Sequence, residues 1–150
     1  MDSSPAPVLF ELSVAAQKVG QVLAAALAST PVGLEDATLL NQLARLEPAT
    51  PTELASRLGV SPSTLTYRLK GLERRGWVSR TPNPADGRSS LLALAPAGRE
   101  AWAAALPAFV AALRSVEERI GLEAEDVSMA LAAVAAAADA ALQGAAVTAR

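Results

Sequence analysis

Residues 61–75 read SPSTLTYRLKGLERR, and a lone arginine, Arg88, ends the proline-rich stretch TPNPADGR at 81–88. These residue types recognise polyanions. Hydroxyls at Ser61, Ser63, Thr64 and Thr66 donate to phosphate oxygens. The ring and hydroxyl of Tyr67 reach base edges. Arg68, Lys70, Arg74 and Arg75 supply cations. The chemistry expected is therefore non-covalent reading of double-stranded DNA. A solvated polar helix face is the competing account of the same residues. Ser61 is equally accounted for as a helix cap, Thr66 as a packed residue, and Arg74 and Arg75 as backbone contacts or solvated charges.

Other chemistries are poorly supplied. The 150 residues include no Cys and no His, which removes disulfides, thiol nucleophiles and imidazole bases. No Gly-rich phosphate loop or nucleophile elbow occurs. Neither an enzyme, a cofactor nor a metal site is expected. Net charge is −2, but its distribution matters more. Residues 54–99 carry eight basic and two acidic side chains, a balance of +6, while the segments on either side each carry −4. A basic middle between acidic flanks fits one region facing a polyanion. The apolar stretches are Ala-rich and interrupted by charge, so no membrane span is expected. The opening MDSSPAPVLFEL lacks the regions of a signal peptide. The expected location is the cytoplasm.

The elements that would hold these residues follow from periodicity and punctuation. Residues 8–29 place Leu12, Val19, Val22, Leu23, Ala26 and Leu27 at helical spacing, and a second helix is expected over 34–46 on Leu39, Leu40, Leu43 and Leu46. Thr50, Pro51 and Glu53 form a capping box with proline at the first helical position. The helix PTELASRL stops at Gly59. Ser61 and Pro62 then start PSTLTYRLKGLERR, which runs to Gly76. Two short helices joined by Gly59-Val60-Ser61 have the length and turn chemistry of a helix-turn-helix.

WVSRT and SLLAL favour strand, so PNPADGR is expected at a hairpin tip, with Asp86 and Gly87 shaping the turn. A stiff hairpin directly after a recognition-type helix is a wing. Arg88 at its tip is suited to a narrow minor groove. The bland alternatives are an ion pair with Asp86 or a solvated charge. Residues 97–120 form a long helix with Trp102, Leu106, Phe109, Leu113, Val116 and Ile120 as an apolar seam, interrupted by Pro107. A last helix covers 123–142, and QGAAVTAR is expected to fray. The fold class is mainly α with a small β-hairpin. One domain covers 1–150, with a winged-helix lobe at 34–96 and a helical region at 8–30 and 97–143.

The stretches ELASRLGVSPSTLT, LERRGWVSR, Asp86-Gly87-Arg88 and L-x-x-AGRE resemble the MarR family of bacterial transcription regulators, over roughly residues 34–120. The resemblance implies a homodimer whose first and last helices intertwine. It implies recognition helices in successive major grooves of a pseudo-palindromic operator and wings in the flanking minor grooves. It also implies repression relieved by a small, often aromatic or phenolic, effector. Trp102 and Phe109 would then be candidates for the effector pocket, though core packing accounts for them as well. The chain departs from the family at Tyr67, where Arg is frequent, at Lys70, where Asp is frequent, and at Gly87, where a second Arg is common. A winged-helix adaptor that binds proteins rather than specific DNA is the alternative function.

Overall fold

The computed structural model describes residues 8–148, with side chains through 143. Residues 1–7 and 149–150, on which some of the expectations for the two termini fall, lie outside the described residues. The order is α1 Val8–Leu27, α2 Leu34–Leu46, α3 Pro51–Leu58, α4 Pro62–Arg74, β1 Val78–Pro82, β2 Ser90–Leu94, α5 Pro96–Glu117 and α6 Ala124–Thr148. Mainly helical structure with one antiparallel hairpin is the observed class. The chain divides into two compact units, 1–113 and 114–150.

The core lies in the first unit. Leu39, Leu40 and Leu43 of α2, Leu54 of α3, Leu65, Leu69 and Leu72 of α4 and Leu92 of β2 are buried together. Each fully buried leucine contributes roughly 1.5–3 kcal/mol. Leu23 and Leu27 of α1 join this core, whereas Val22, expected on the same stripe, is exposed. By length and composition α1 is apolar enough to cross a membrane, with a mean hydropathy of 1.3. That departs from the expectation of no such segment. Alanine counts as apolar, and only Glu11 and Lys18 interrupt the helix.

The helix starts are set locally. At α3, Glu53 Oε2 accepts from the Thr50 amide at 2.8 Å while Thr50 Oγ1 accepts from the Glu53 amide at 3.2 Å. At α4, Ser61 Oγ accepts from the Thr64 amide at 3.2 Å. Gly59 ends α3 with φ of 63°, a left-handed conformation that glycine adopts without a Cβ penalty.

The hairpin pairs Val78 with Leu94 and Pro82 with Ser90. A rung not foreseen from the sequence adds Ala49 to it: the Ala49 and Leu92 amides each donate to the other's carbonyl, at 3.1 and 2.8 Å. This rung joins the wing base to the lead-in of α3. Gly98 seats α5 against the other end of the hairpin. A Cβ there would stand 2.0 Å from the Trp77 carbonyl oxygen, so only glycine permits the approach. The Trp77 carbonyl instead accepts from the Ala95 amide at 2.9 Å.

In α5, Trp102 and Phe109 are buried but Leu106 of the expected seam is exposed, and the helix ends at Glu117 rather than 120, which leaves Ile120 beyond it and exposed. Helix α6 continues to Thr148, beyond the expected end at 142. None of its described side chains is buried.

Candidate nucleic-acid interface

Helix α4 divides cleanly. Leu65, Leu69 and Leu72 face the core at spacings of four and three, which leaves the intervening positions outward. Ser63, Thr64, Thr66, Tyr67, Lys70 and Arg74 are exposed. Tyr67 is 81% exposed, extreme for an aromatic residue in a helix with a packed inner face. At the helix start the Ser61 hydroxyl lies 2.9 Å from that of Ser63 and 2.8 Å from that of Thr64, forming a small hydroxyl cluster. The Thr66 hydroxyl donates to the Pro62 carbonyl at 2.8 Å, so it is tied to its own helix while remaining at the surface.

The cations separate into engaged and unengaged groups. Arg75 is the most engaged. Its Nη2 donates to Asp36 Oδ2 at 2.8 Å and its Nε to the Gly71 carbonyl at 3.3 Å, and its guanidinium lies 4.2 Å over the Trp77 ring. It ties α4 to α2 and to the wing base. Arg68 stands 3.7 Å from the exposed Glu35, a loose pairing that contributes little in water. Arg80 of β1 donates to Glu73 at 2.9 Å and to the Ser90 hydroxyl at 2.7 Å. Lys70, Arg74 and Arg88 have no ion pair among the described residues.

The wing tip is built from short-range hydrogen bonds. Asp86 Oδ1 accepts from the Arg88 amide at 3.0 Å, and Asn83 Oδ1 from the Ala85 amide at 3.0 Å. Asn83 Nδ2 donates to the Ser89 hydroxyl at 2.8 Å. Asx turns of this kind hold a loop without strand pairing. The carboxylate of Asp86 binds backbone rather than the Arg88 guanidinium, which leaves that charge available.

Trp102 and Phe109 are packed edge to face, with ring centroids 5.4 Å apart and planes at 67°. Surface clefts open elsewhere. One of about 430 Å³ is lined by Leu46, Pro48, Ala49, Ser56 and Arg57. Another of about 370 Å³ lies between the start of α3 and the wing, bordered by Thr52, Arg80, Arg88 and Ser90. Thr52, Arg80 and Ser90 were not among the sequence-derived candidates. Their meeting depends on the hairpin register and the Ala49–Leu92 rung, neither of which has a local signal.

Comparison with known proteins bears on this arrangement. The MarR family model matches residues 34–90. An HTH-type transcriptional regulator of Mycobacterium bovis is 33% identical over 138 residues, covering 87% of this chain and 96% of that protein. The transcriptional regulator MosR of M. tuberculosis, solved in complex with DNA, superposes with a TM-score of 0.78 at 27% identity, covering 91% of this chain and 98% of MosR. The transcriptional repressor CouR, solved bound to a 23-mer DNA duplex, gives a TM-score of 0.73 at 25% identity, covering 87% of this chain and 92% of CouR.

Proposed function

The chain belongs to the MarR family of winged helix-turn-helix transcription regulators, DNA-binding proteins rather than enzymes, and on that premise we propose that it is a homodimeric repressor of a pseudo-palindromic operator. The observation that carries this reading is the outward face of α4, where a hydroxyl cluster, a bare tyrosine and two cations without an ion pair among the described residues, Lys70 and Arg74, stand on a helix whose other face is fully packed. Ser61, Ser63 and Thr64 meet phosphates at the groove edge. Thr66, Tyr67 and Arg68 face bases, and Lys70 and Arg74 follow the backbone. Arg88 enters the flanking minor groove. Arg75 serves as a positioning residue, because its guanidinium already holds Asp36 and Trp77.

The dimer assignment is supported by apolar surface. Val8, Leu9, Phe10 and Val22 of α1, and Met129, Leu131 and Leu142 of α6, are exposed. A helix apolar on most of its surface is stable in water only when something covers it. A second copy of the chain supplies the same helices and a two-fold axis, and a dimer of this class reads two half-sites about one DNA turn, ~34 Å, apart.

A small aromatic or phenolic effector completes the proposal. It would bind the free dimer more tightly than the DNA-bound shape, as release requires. Trp102 and Phe109 are the aromatic wall assigned to it, and a ligand bound there must separate the packed rings. Reaching chromosomal DNA places the protein in the cytoplasm.

Selection of bound fragments from genomic DNA, with the salt dependence of the best sequence, tests the reading. A pseudo-palindrome with half-sites one turn apart and a steep salt slope is the expected result. Binding without any enriched sequence would overturn it in favour of the protein-binding adaptor.

A further inference from the structure

The cleft between α3 and the wing has walls of uniform chemistry. No carboxylate borders it, and two guanidinium groups do. Some of its polar groups are already satisfied and others are left over. The Thr50 hydroxyl donates to Glu53 and accepts from the Glu53 amide, and the Ser89 hydroxyl donates to the Asp86 carbonyl and accepts from Asn83. Both are satisfied. The Ser90 hydroxyl accepts from Arg80 Nη1 and keeps its own proton to donate. Arg80 uses Nε and Nη1, which leaves Nη2. The Thr52 hydroxyl and the Arg88 guanidinium bond to nothing among the described residues. What remains is a set of donors from two facing walls and two guanidinium groups, of which Arg80 is already paired with Glu73 at 2.9 Å through Nε and Arg88 has no ion pair among the described residues.

We propose that this cleft seats one backbone phosphate of the bound duplex, held by Thr52 on one wall and by Arg80 and Ser90 on the other, while Arg88 reaches past it into the minor groove. The inference rests on the DNA-binding reading of the fold. With α4 in a major groove and the wing in the adjacent minor groove, one phosphodiester strand separates the two grooves and must pass between those elements. The cleft opens between the wing and the start of α3, the first helix of the helix-turn-helix pair, on the side of the wing that such a strand passes. A phosphate offers only acceptors and negative charge, the complement of these walls. Such a contact sets register and orientation and carries no base information. It also gives Arg80, half-engaged with Glu73, a function beyond holding the hairpin to α4.

The test uses the full-length protein, with R80Q and T52V checked for wild-type melting. Duplex binding is measured against salt on the selected sequence and on a scrambled one. R80Q removes one neutralised phosphate, so the slope of log K against log salt falls by about 0.9, and affinity near 0.1 M salt drops roughly tenfold on both duplexes alike. T52V weakens both duplexes equally and leaves the slope unchanged. A duplex carrying one neutral methylphosphonate, moved along the strand, loses affinity for the wild type at one position between the grooves, and R80Q abolishes that loss.

An unchanged slope in R80Q, or a loss confined to the selected sequence, overturns the proposal while leaving the regulator reading intact. So does saturable binding of inorganic phosphate that R80Q removes while no methylphosphonate position couples to it, because the site then belongs to a free anion. A wild-type protein that binds no duplex at any salt overturns both readings, a signature distinct from the others.

Discussion

Helices α4 and α6 both present much of their surface to water, and they do so for opposite reasons. Helix α4 is short, buries Leu65, Leu69 and Leu72, and exposes hydroxyls, cations and Tyr67. Its inner face is complete within one chain, so its outer face is free to be polar. Helix α6 is nearly twice as long, buries none of its described side chains, and exposes Met129, Leu131 and Leu142. Exposure by itself therefore has two meanings. On α4 it marks a surface suited to a charged, hydrated partner. On α6 it marks a surface that one chain leaves uncovered.

The largest expected effect tests α6. Leu131→Glu places a charge on the uncovered face, and sedimentation should show loss of the proposed dimer together with loss of helical ellipticity. A folded wild-type dimer after this change would mean that α6 needs no covering partner. Next, Leu69→Ala tests whether α4 is complete within the chain. It should cost about 2–5 kcal/mol in urea unfolding, and a smaller loss would mean that the inner face is not what holds the helix. Tyr67→Ala probes the opposite face of the same helix. Stability should change by no more than ~0.5 kcal/mol, while discrimination among operator bases falls by about 1–3 kcal/mol. A stability loss comparable to that of Leu69→Ala would erase the contrast between the two faces.

The smallest effect concerns the cap that sets α3, and through it the turn before α4. Backbone and side-chain hydrogen bonds from Thr50 hold the Glu53 carboxyl below the usual glutamate range. A lowered folded value means that the stabilisation is complete above the unfolded value, near pH ~4.3, and is lost as pH falls through the folded one. Glu53→Gln should therefore narrow its stability gap to the wild type as pH drops below that range. A gap constant across those pH values would show that the carboxylate charge plays no role in the cap.

Much of the lobe was legible because its signals are local. The capping box at Thr50 and Glu53, the Ser61 cap and the Gly59 stop each act over three or four residues, and the chain encodes them side by side. The leucine spacing of α4 likewise assigns its inner and outer faces without tertiary information. Helix α1 was legible as a helix but not in its packing. Only its C-terminal half, from Val19 on, reaches the core, and alanine-rich periodicity does not reveal where contact stops.

The status of each arginine was beyond the sequence. Arg75, Arg80 and Arg88 all stand in one basic stretch and look alike there. Folding pairs Arg75 with Asp36 across 39 residues of chain and Arg80 with Glu73, and leaves Arg88 without an ion pair among the described residues. The cleft beside the wing has the same origin. Thr52 and Arg80 border one space because Ala49 pairs with Leu92, a rung set by how the wing base packs on the core. The sequence by itself thus determined the helices, their caps, the hairpin and the face of α4 that meets water, because those depend on neighbours within a few residues. Which charges stay unpaired, and which donors converge on one cleft, was decided by tertiary structure, because those depend on partners that only packing brings within hydrogen-bond reach.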